Sequence, residues 1–289
     1  MSDAATLPFA EVIGDPIAQS KSPLIHGFWI KQLGITARYG SRRVTQAEIP
    51  DYLGERRSDP TWRGCNITMP LKQAVIPLLD RIDPQAEVIG AVNTVYRDAD
   101  GALVGINTDA AGFLEPLQTL LSNRHLFRMA RIIGAGGAAR AIVAALAEQG
   151  FTLVVVARDQ GKARLLLKQV VPGGEHFVAP LDHFAQPTDF DFDDREGCLD
   201  LVVNASPLGM RGQPALAFDW SHAPPGSVAY DIVTDPVETE FLRAAKAAGF
   251  ATIGGLSMLI GQAAVAFERF FGEPPPRELD RELMERLRQ

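Results

Sequence analysis

The chain has 289 residues, of which 46% are hydrophobic and 22% charged, and its formal net charge is −7. This composition is that of a globular protein long enough for two domains, and it argues against a largely disordered chain. The acidic balance, with no basic run interleaved with aromatic residues, argues against nucleic acid as a partner.

The N-terminal sequence and the two cysteines bear on localisation. The segment MSDAATLPFAE lacks the positive and apolar regions of a signal peptide, and no apolar run approaches membrane-spanning length. Cys65 and Cys198 each lie in an apolar, strand-like run, which suits buried thiols better than a disulfide or a metal site. We therefore expect a cytoplasmic protein with no membrane partner and no bound metal.

The first predicted elements leave two serines on a loop. Residues 9–13 predict a strand, and a helix is expected from Ser22-Pro23 to Gly34, with Ser22 as the N-cap. This cap is a structural role for Ser22. Alternatively, the hydroxyls of Ser20 and Ser22 could bind a polar ligand.

A lysine follows the next long apolar strand. In the run RGCNITMPLK at 63–72, the strand ends in Thr68, and Lys72 opens a helix expected to reach about Leu79. A lysine in the first turn of a helix is oddly placed, because the macrodipole disfavours positive charge there. That position would favour a catalytic role, and the alternative is an ordinary solvated lysine.

Asp109 precedes a further predicted helix, at 110–121. Asp109 could simply cap this helix, but Thr108 could do so equally well, which would leave the carboxylate for chemistry. Other predicted elements are a strand at 37–44, a helix at 47–55, a strand-like run at 90–96, a hairpin strand at 102–106, a surface loop at 180–197, a strand at 199–204, a last strand at 228–232 and a helix from Leu256 to about Gly272.

A strand, a glycine turn and an alanine-rich helix follow one another in RIIGAGGAARAIVAALAEQ, residues 131–149. Residues 134–139 fit the G-x-G-x-x-G/A dinucleotide pattern, in which glycines allow a tight turn and a close approach of the backbone to a pyrophosphate. A purely structural turn is the alternative. A second apolar strand, 153–157, ends at Arg158, at about the spacing where this fold meets the adenosine ribose.

Together these segments resemble the shikimate/quinate dehydrogenase family, and specifically its shikimate 5-dehydrogenase-like members. The matching segments cover nearly the whole chain in family order: IGDPIAQSKSP, GCNITMPLK, GAVNTV, NTDAAGF, IIGAGGAARA, VVNASPLGM, YDIVTDP and GGLSMLIGQAA. The resemblance implies two α/β domains with the active site in the cleft between them. Residues 1–108 and 255–289 would form a substrate-binding catalytic domain with a mostly parallel sheet, and residues 109–254 a Rossmann-type NAD(P)-binding domain.

The resemblance further implies an NADP-dependent dehydrogenase that interconverts shikimate and 3-dehydroshikimate in the supply of aromatic amino-acid precursors. Oxidising a secondary alcohol with a nicotinamide requires a group that takes the hydroxyl proton as the hydride leaves. Lys72 and Asp109 match the family's proton-transfer pair. The positions that match substrate-binding residues are Ser20, Ser22, Thr68, Asn93 and Gln262.

A second set of positions matches residues that bind the cofactor: Gly134, Ala135, Gly136, Gly137, Ala138, Arg158, Lys162, Ile232 and Gly255. Arg158 and Lys162 could clamp a 2′-phosphate, because a guanidinium matches phosphate geometry with two donors. Asp159 departs from the family pattern and would repel the phosphate. We therefore expect NADP, with NAD as the alternative.

Three departures from the family pattern leave the substrate open. Thr234 stands where a tyrosine is usual, Ser257 where glycine is commoner, and Gly27 where asparagine commonly follows the histidine. The alternatives are a quinate or aminoshikimate-type dehydrogenase, or a nucleotide-binding regulator without turnover. The retained pair of Lys72 and Asp109 argues against the regulator. The sequence leaves both a monomer and a homodimer open.

Overall fold

The structure is a computed structural model that describes residues 7–190, 192 and 197–289. The chain divides into two compact units. The first unit is Met1–Thr108 with Ile260–Gln289, and the second unit is Asp109–Leu259. Each unit has its own six-stranded sheet with helices, so the predicted α/β class is confirmed.

The elements up to residue 108 are β1 (Phe9–Gly14), α1 (Ser22–Leu33), β2 (Arg38–Arg43), α2 (Ile49–Ser58), β3 (Trp62–Ile67), β4 (Arg81–Ile82), α3 (Pro84–Ile89), β5 (Thr94–Arg97) and β6 (Leu103–Ile106), with 3-10 turns at Gln46–Glu48 and Ile76–Leu78. The later elements are α4 (Asp109–Leu114), α5 (Gln118–Ser122), β7 (Phe127–Ile133), α6 (Gly137–Glu148), β8 (Thr152–Ala157), α7 (Gln160–Val170), β9 (Phe177–Pro180), β10 (Cys198–Asn204), β11 (Val228–Asp231), α8 (Glu240–Ala247), β12 (Ala251–Gly254), α9 (Gly255–Phe271) and α10 (Asp280–Leu287).

The first sheet has the strand order β2-β1-β3-β5-β6-β4. Strand β1 pairs in parallel with β2 and β3, β4 pairs in parallel with β6, and β5 runs antiparallel to both neighbours. The predicted hairpin is β5–β6, and the sheet is mostly parallel, as expected. In this topology the ends of β1, β3 and β6 and the start of β5 lie at one edge, which we call the carboxyl edge.

The second sheet is parallel throughout, in the order β12-β11-β10-β7-β8-β9. Counted within this unit from β9, the order is 3-2-1-4-5-6, which is the doubly wound order of dinucleotide-binding sheets. The prediction that 228–232 is the last strand is wrong, because β12 follows it. Strand β12 is a short edge strand with exposed Ala251 and Thr252, so it lacks the apolar run that marks a buried strand.

Two predicted helices are interrupted at prolines. Residues 72–79 form turns and the 3-10 helix Ile76–Leu78, and the helix expected at 110–121 is divided by a 3-10 helix at Glu115–Leu117. Pro77 and Pro116 lie at the starts of these 3-10 turns. Proline lacks an N–H, so it removes a donor that a continuous α-helix requires.

Two other local predictions need correction. The strand-like run at 90–96 forms a strand only from Thr94, because Gly90 closes α3 in a left-handed conformation with φ +66°. The predicted surface loop at 180–197 contains the 3-10 helix Leu181–Phe184, and its residues 191 and 193–196 lie outside the described part of the chain. Among the helices that the structure describes, none has the length and apolar character needed to cross a membrane.

Gly64 in β3 offers a test of how the first unit is packed. A Cβ at Gly64 would lie 2.5 Å from the Val95 carbonyl oxygen and would overlap the ring of Phe270. Gly64→Ala should therefore lower the free energy of unfolding by about 1–3 kcal/mol, the usual cost of overpacking. Chemical denaturation measures this change. Gly54→Ala in α2 is the control, since a Cβ there meets open space and should not destabilise the protein. Equal stability of the two variants would contradict this packing.

Candidate active site

Polar side chains collect at the carboxyl edge of the first sheet. Ser20 and Ser22 follow β1, Thr68 and Lys72 follow β3, and Asn93 immediately precedes β5. Ligands of open α/β sheets bind in crevices outside the carboxyl ends of the strands. The topology thus brings five separately predicted residues to the edge where a ligand is expected.

Asn93 is anchored through the backbone at the centre of this edge. Its carbonyl oxygen accepts a hydrogen bond of 2.7 Å from the Ile67 N–H, and its own N–H donates to the Ile106 carbonyl at 3.1 Å. The preceding N–H, of Val92, donates to the Lys72 carbonyl at 2.8 Å. Asn93 therefore joins the ends of β3 and β6 to the turn that contains Lys72.

The Asn93 side chain is 2% exposed and forms a buried cluster with Thr108 and Gln262. The Thr108 N–H donates to Asn93 Oδ1 at 2.8 Å, and Asn93 Nδ2 donates to Thr108 Oγ1 at 2.9 Å and to Gln262 Oε1 at 3.5 Å. The Thr108 hydroxyl donates to Gln262 Oε1 at 3.3 Å. The cluster unites Asn93 and Gln262, which the sequence assigns to one site although they lie 169 residues apart.

The two serines lie together at the start of α1. Ser22 is 6% exposed, and its N–H donates to Ser20 Oγ at 3.3 Å. The prediction that Ser22 is the N-cap is wrong, because Lys21 occupies that position and Ser22 is the first helical residue. The Ser22 hydroxyl acts to lower the pKa of the Tyr39 phenol, against the larger effect of burial.

Thr68 and Lys72 lie half-buried in the loop after β3. The Thr68 N–H donates to the Ile13 carbonyl at 2.9 Å, and a Cβ on Gly14 would lie 2.9 Å from the Met69 carbonyl oxygen, so glycine permits this close approach. Lys72 lies in a turn and not at a helix N-terminus. The macrodipole argument for its role therefore fails, and its place beside Asn93 is the remaining structural support.

Asp109 is the first residue of α4 and of the second unit, and it is 5% exposed. Helix α4 is held in this unit by Phe113, which stacks on Tyr230 with the ring centroids 4.6 Å apart. Asp109 therefore belongs to a packed element of the second unit, whereas Lys72 belongs to the first unit.

The glycine turn between β7 and α6 has the features of an anion-binding loop. Gly134 adopts φ +125°, and a Cβ there would lie 2.6 Å from the Ala205 carbonyl oxygen. Gly136 is exposed, and a Cβ there would meet nothing within 4 Å. Helix α6 begins at Gly137 without a side-chain cap, and Ala138 in its first turn is half-buried. Uncapped N–H groups and the positive end of the helix dipole make such a terminus favourable for a phosphate.

Other small residues lie in and after the glycine turn. Ala135, between the two glycines, is half-buried, and Ala139 in the first turn of α6 is 0% exposed. The burial of Ala139 is what close helix–sheet packing at the third position of the pattern requires. The loop and the helix start together fit a pyrophosphate.

Basic groups flank the end of β8. Arg158 and Lys162 are both exposed, at the end of this strand and in the first turn of α7. Asp159 caps α7, with Oδ1 accepting the Lys162 N–H at 3.0 Å. A carboxylate at a helix N-terminus is stabilised by the helix dipole, so Asp159 has a structural role as the cap of α7. Arg158 and Lys162 fit a 2′-phosphate.

Ile232 and Gly255 meet in the second unit. A Cβ on Gly255 would lie 2.5 Å from the carbonyl oxygens of both Ile232 and Val233, so glycine lets the start of α9 pack against the loop after β11. The structure thus brings together two residues that the sequence assigns to the cofactor site.

Asp231 fixes this loop and was not predicted. It is fully buried, accepts from Asn204 Nδ2 at 3.0 Å, from the Val233 N–H at 3.0 Å and from the Thr239 hydroxyl at 2.6 Å. Burial raises the pKa of the Asp231 carboxyl, although these hydrogen bonds act in the opposite direction. Because Asn204 also binds the Leu208 carbonyl, Asp231 ties the loop after β10 to the loop after β11.

Other buried polar residues escaped the sequence interpretation, among them Asn66 and Thr94. Both lie in strands, are at most 5% exposed, and are bonded to each other. A signal existed, since a polar residue inside an apolar strand must find hydrogen-bond partners when it is buried. The partners themselves could not be read from the pattern.

Comparisons with known proteins cover both units. Family models match residues 12–95, as the shikimate dehydrogenase substrate binding domain, and residues 255–285, as the shikimate 5′-dehydrogenase C-terminal domain. The shikimate dehydrogenase (NADP(+)) of Sphingopyxis alaskensis is 48% identical over 285 residues, which are 98% of this chain and 98% of that protein.

Solved structures of a shikimate dehydrogenase and of a quinate dehydrogenase are also similar to this chain. The shikimate 5-dehydrogenase of Thermus thermophilus, in complex with NADP(H) and shikimate, is 35% identical with a TM-score of 0.78, covering 97% of this chain and 100% of that one. The quinate dehydrogenase of Corynebacterium glutamicum, in complex with NAD, is 33% identical with a TM-score of 0.77, covering 97% and 99%.

The two glycines of the turn after β7 should respond differently to alanine. Gly134→Ala should lower the melting temperature by at least about 2–4 °C, because the new Cβ meets the Ala205 carbonyl and φ is positive. Gly136→Ala should melt like the wild type, since its Cβ enters open space. Thermal unfolding of the two purified variants measures the difference, and a destabilised Gly136→Ala would contradict the described turn.

Proposed function

Because the chain belongs to the shikimate dehydrogenase family, we propose that it is an NADP-dependent dehydrogenase that interconverts shikimate and 3-dehydroshikimate. The observation on which the proposal depends is the similarity to an NADP-linked relative over 98% of both chains, since it includes both units. The first unit would bind the substrate, and the second unit the nucleotide.

The second unit would hold the cofactor at the carboxyl end of its sheet. NADP, when bound, accepts a hydride from the carbinol carbon of the substrate. The turn from Gly134 to Ala138 would hold the pyrophosphate, and Arg158 with Lys162 would hold the 2′-phosphate. Ile232 and Gly255 would border the cofactor on the other side of the sheet's centre. The open space at Gly136 and the exposure of both basic residues support this assignment.

The first unit would bind the ring hydroxyls and the carboxylate of the substrate. Ser20, Ser22 and Thr68 supply hydroxyls, and Asn93 and Gln262 supply amides, all of which can donate and accept hydrogen bonds. A polyhydroxylated carboxylate needs such groups in fixed positions, because each misplaced polar group costs binding free energy. The buried cluster of Asn93, Thr108 and Gln262 supports this role.

Lys72 and Asp109 would transfer the proton of the substrate hydroxyl. In the oxidation, the Lys72 amine takes the proton from the substrate hydroxyl oxygen, and in the reduction the Lys72 ammonium returns it. Asp109 would orient that ammonium. The half-buried position of Lys72 beside Asn93, and the burial of Asp109 at the start of α4, support the assignment. Two further expectations, a cytoplasmic location and a monomeric or homodimeric state, stay predictions.

Initial rates with two substrates and two cofactors test the proposal directly. Shikimate with NADP+ should give a higher kcat/KM than shikimate with NAD+ or quinate with either cofactor. A higher value for quinate with NAD+ would replace the proposed function with a quinate dehydrogenase. If the protein turned over neither acid with either cofactor, the proposed function would be disproved.

Lys72→Ala tests the proton-transfer role. The variant should lose turnover by about 10² or more, the usual scale for a general acid–base group, while its affinity for NADP+ stays near that of the wild type. Stopped-flow or steady-state kinetics measures kcat, and fluorescence titration measures the affinity. Lys31→Ala, which removes an exposed lysine from the last turn of α1, is the matched control. Wild-type turnover in Lys72→Ala would disprove the role.

Arg158→Ala tests the choice of cofactor. The KM for NADP+ should rise about tenfold or more while the KM for NAD+ changes little, because a charged hydrogen bond is worth about 1.5–3 kcal/mol. Arg164→Ala in the following helix, α7, is the control, since Arg164 is exposed and donates to Gln160 of its own helix. Equal changes for the two cofactors would show that Arg158 does not bind the 2′-phosphate.

A further inference from the structure

A row of hydrogen-bonded side chains leads from Tyr39 on β2 to Asn93. The Tyr39 hydroxyl donates to Asn66 Oδ1 at 2.6 Å, Asn66 Nδ2 donates to Thr94 Oγ1 at 3.0 Å, and the Thr94 hydroxyl donates to Asn93 Oδ1 at 3.1 Å. We call Tyr39, Asn66, Thr94 and Asn93 the Tyr39 network. It crosses β2, β3 and the start of β5, and all of its members belong to the first unit.

One backbone group sets the direction of every bond in the Tyr39 network. The Thr108 N–H can only donate, so the Asn93 atom that faces it is Oδ1. The Thr94 hydroxyl must then donate to that oxygen and accept from Asn66 Nδ2. This turns Asn66 Oδ1 toward Tyr39, whose hydroxyl must donate. The four side chains therefore satisfy one another in a single arrangement.

Burial acts on the Tyr39 end of the Tyr39 network. It keeps the pKa of the phenol well above its ordinary value, although the Ser22 hydroxyl acts to lower it, so the Tyr39 hydroxyl remains a donor. Its ring stacks on His26 with centroids 4.0 Å apart and planes inclined by 4°. Burial lowers the pKa of His26 to about 3 despite the opposing effect of Asn66, so this supporting ring is neutral near pH 7.

We propose that Tyr39 is a positioning residue for the substrate site and holds Asn93 through Asn66 and Thr94. This inference rests on the proposed function, which assigns Asn93 to the substrate. Without the Tyr39 hydroxyl, the buried Asn66 Oδ1 loses a donor, and the free-energy difference that favours this orientation of the Asn66 amide becomes smaller. Turning it would break the bond that orients Thr94 toward Asn93.

Tyr39→Phe is the first variant, since it removes the hydroxyl and keeps the ring on His26. The KM for shikimate should rise about tenfold, while kcat falls less and the affinity for NADP+ is unchanged. Thr94→Val removes the hydroxyl one step nearer to Asn93 with little change in shape, and it should reproduce this rise. The double variant should be no worse than the more affected single variant, because both changes break the same row of bonds.

Tyr52→Phe is the matched control. Tyr52 lies in the same unit, is 2% exposed, and donates to Glu11 Oε1 at 3.0 Å, so this variant, like Tyr39→Phe, loses one phenol hydrogen bond. It should lower the melting temperature without raising the KM for shikimate. This separates a loss of stability in the first unit from a loss of positioning.

The outcomes are distinguishable. A wild-type KM in Tyr39→Phe overturns the inference alone, as does an equal rise in Tyr52→Phe. Additive effects of Tyr39→Phe and Thr94→Val, with a rise in KM equal to the product of the two single rises, also overturn it. If the wild-type protein turns over no shikimate, the proposed function fails and the inference falls with it.

Discussion

The hydrogen bond from the Thr108 N–H to Asn93 Oδ1 determines how the polar edge of the first sheet is arranged. An amide side chain can present either its oxygen, which accepts, or its NH2 group, which donates. A backbone N–H can form a hydrogen bond only with the oxygen. Because Asn93 is 2% exposed, a reversed amide would leave buried groups unsatisfied, at a cost of about 1–3 kcal/mol each. The orientations of Thr94, Asn66, Gln262 and the Tyr39 hydroxyl all follow from this one bond.

In the second unit, a buried carboxylate has the corresponding role of fixing loops. Asp231 gathers donors from the end of β10, from its own loop and from the start of α8, and so holds two loops that leave the same edge of the sheet. The exposed pair of Arg211 and Asp235 joins the same loops, but ion pairs in water contribute little. The buried carboxylate is therefore the stronger constraint. In both units a buried polar group fixes loops that would otherwise have several arrangements.

Local sequence patterns predicted those parts of the fold that depend on backbone conformation and on continuous apolar runs. The glycine turn at Gly134 was predictable because its positive φ requires glycine, and the strands beside it because they are continuous apolar runs. The helix expected after Lys72 was wrong because Pro77 removes a donor. Ser22 was misassigned for a different reason. Its sequence context suits a cap, but the helix begins one residue earlier than expected, with Lys21 at the N-cap and Ser22 as the first helical residue.

The polar site was only partly predictable. The family resemblance assigns Asn93 and Gln262 to it, but Asn93 is oriented by partners that are distant in sequence and that the fold brings to it. The same separation explains how Thr234 can stand where the family pattern has tyrosine. The neighbouring Val233 N–H is held by Asp231, so the backbone of this loop is fixed independently of the side chain at 234. Thr234 is half-buried and no described network depends on it. A substitution there can thus change what the loop presents without changing where the loop lies.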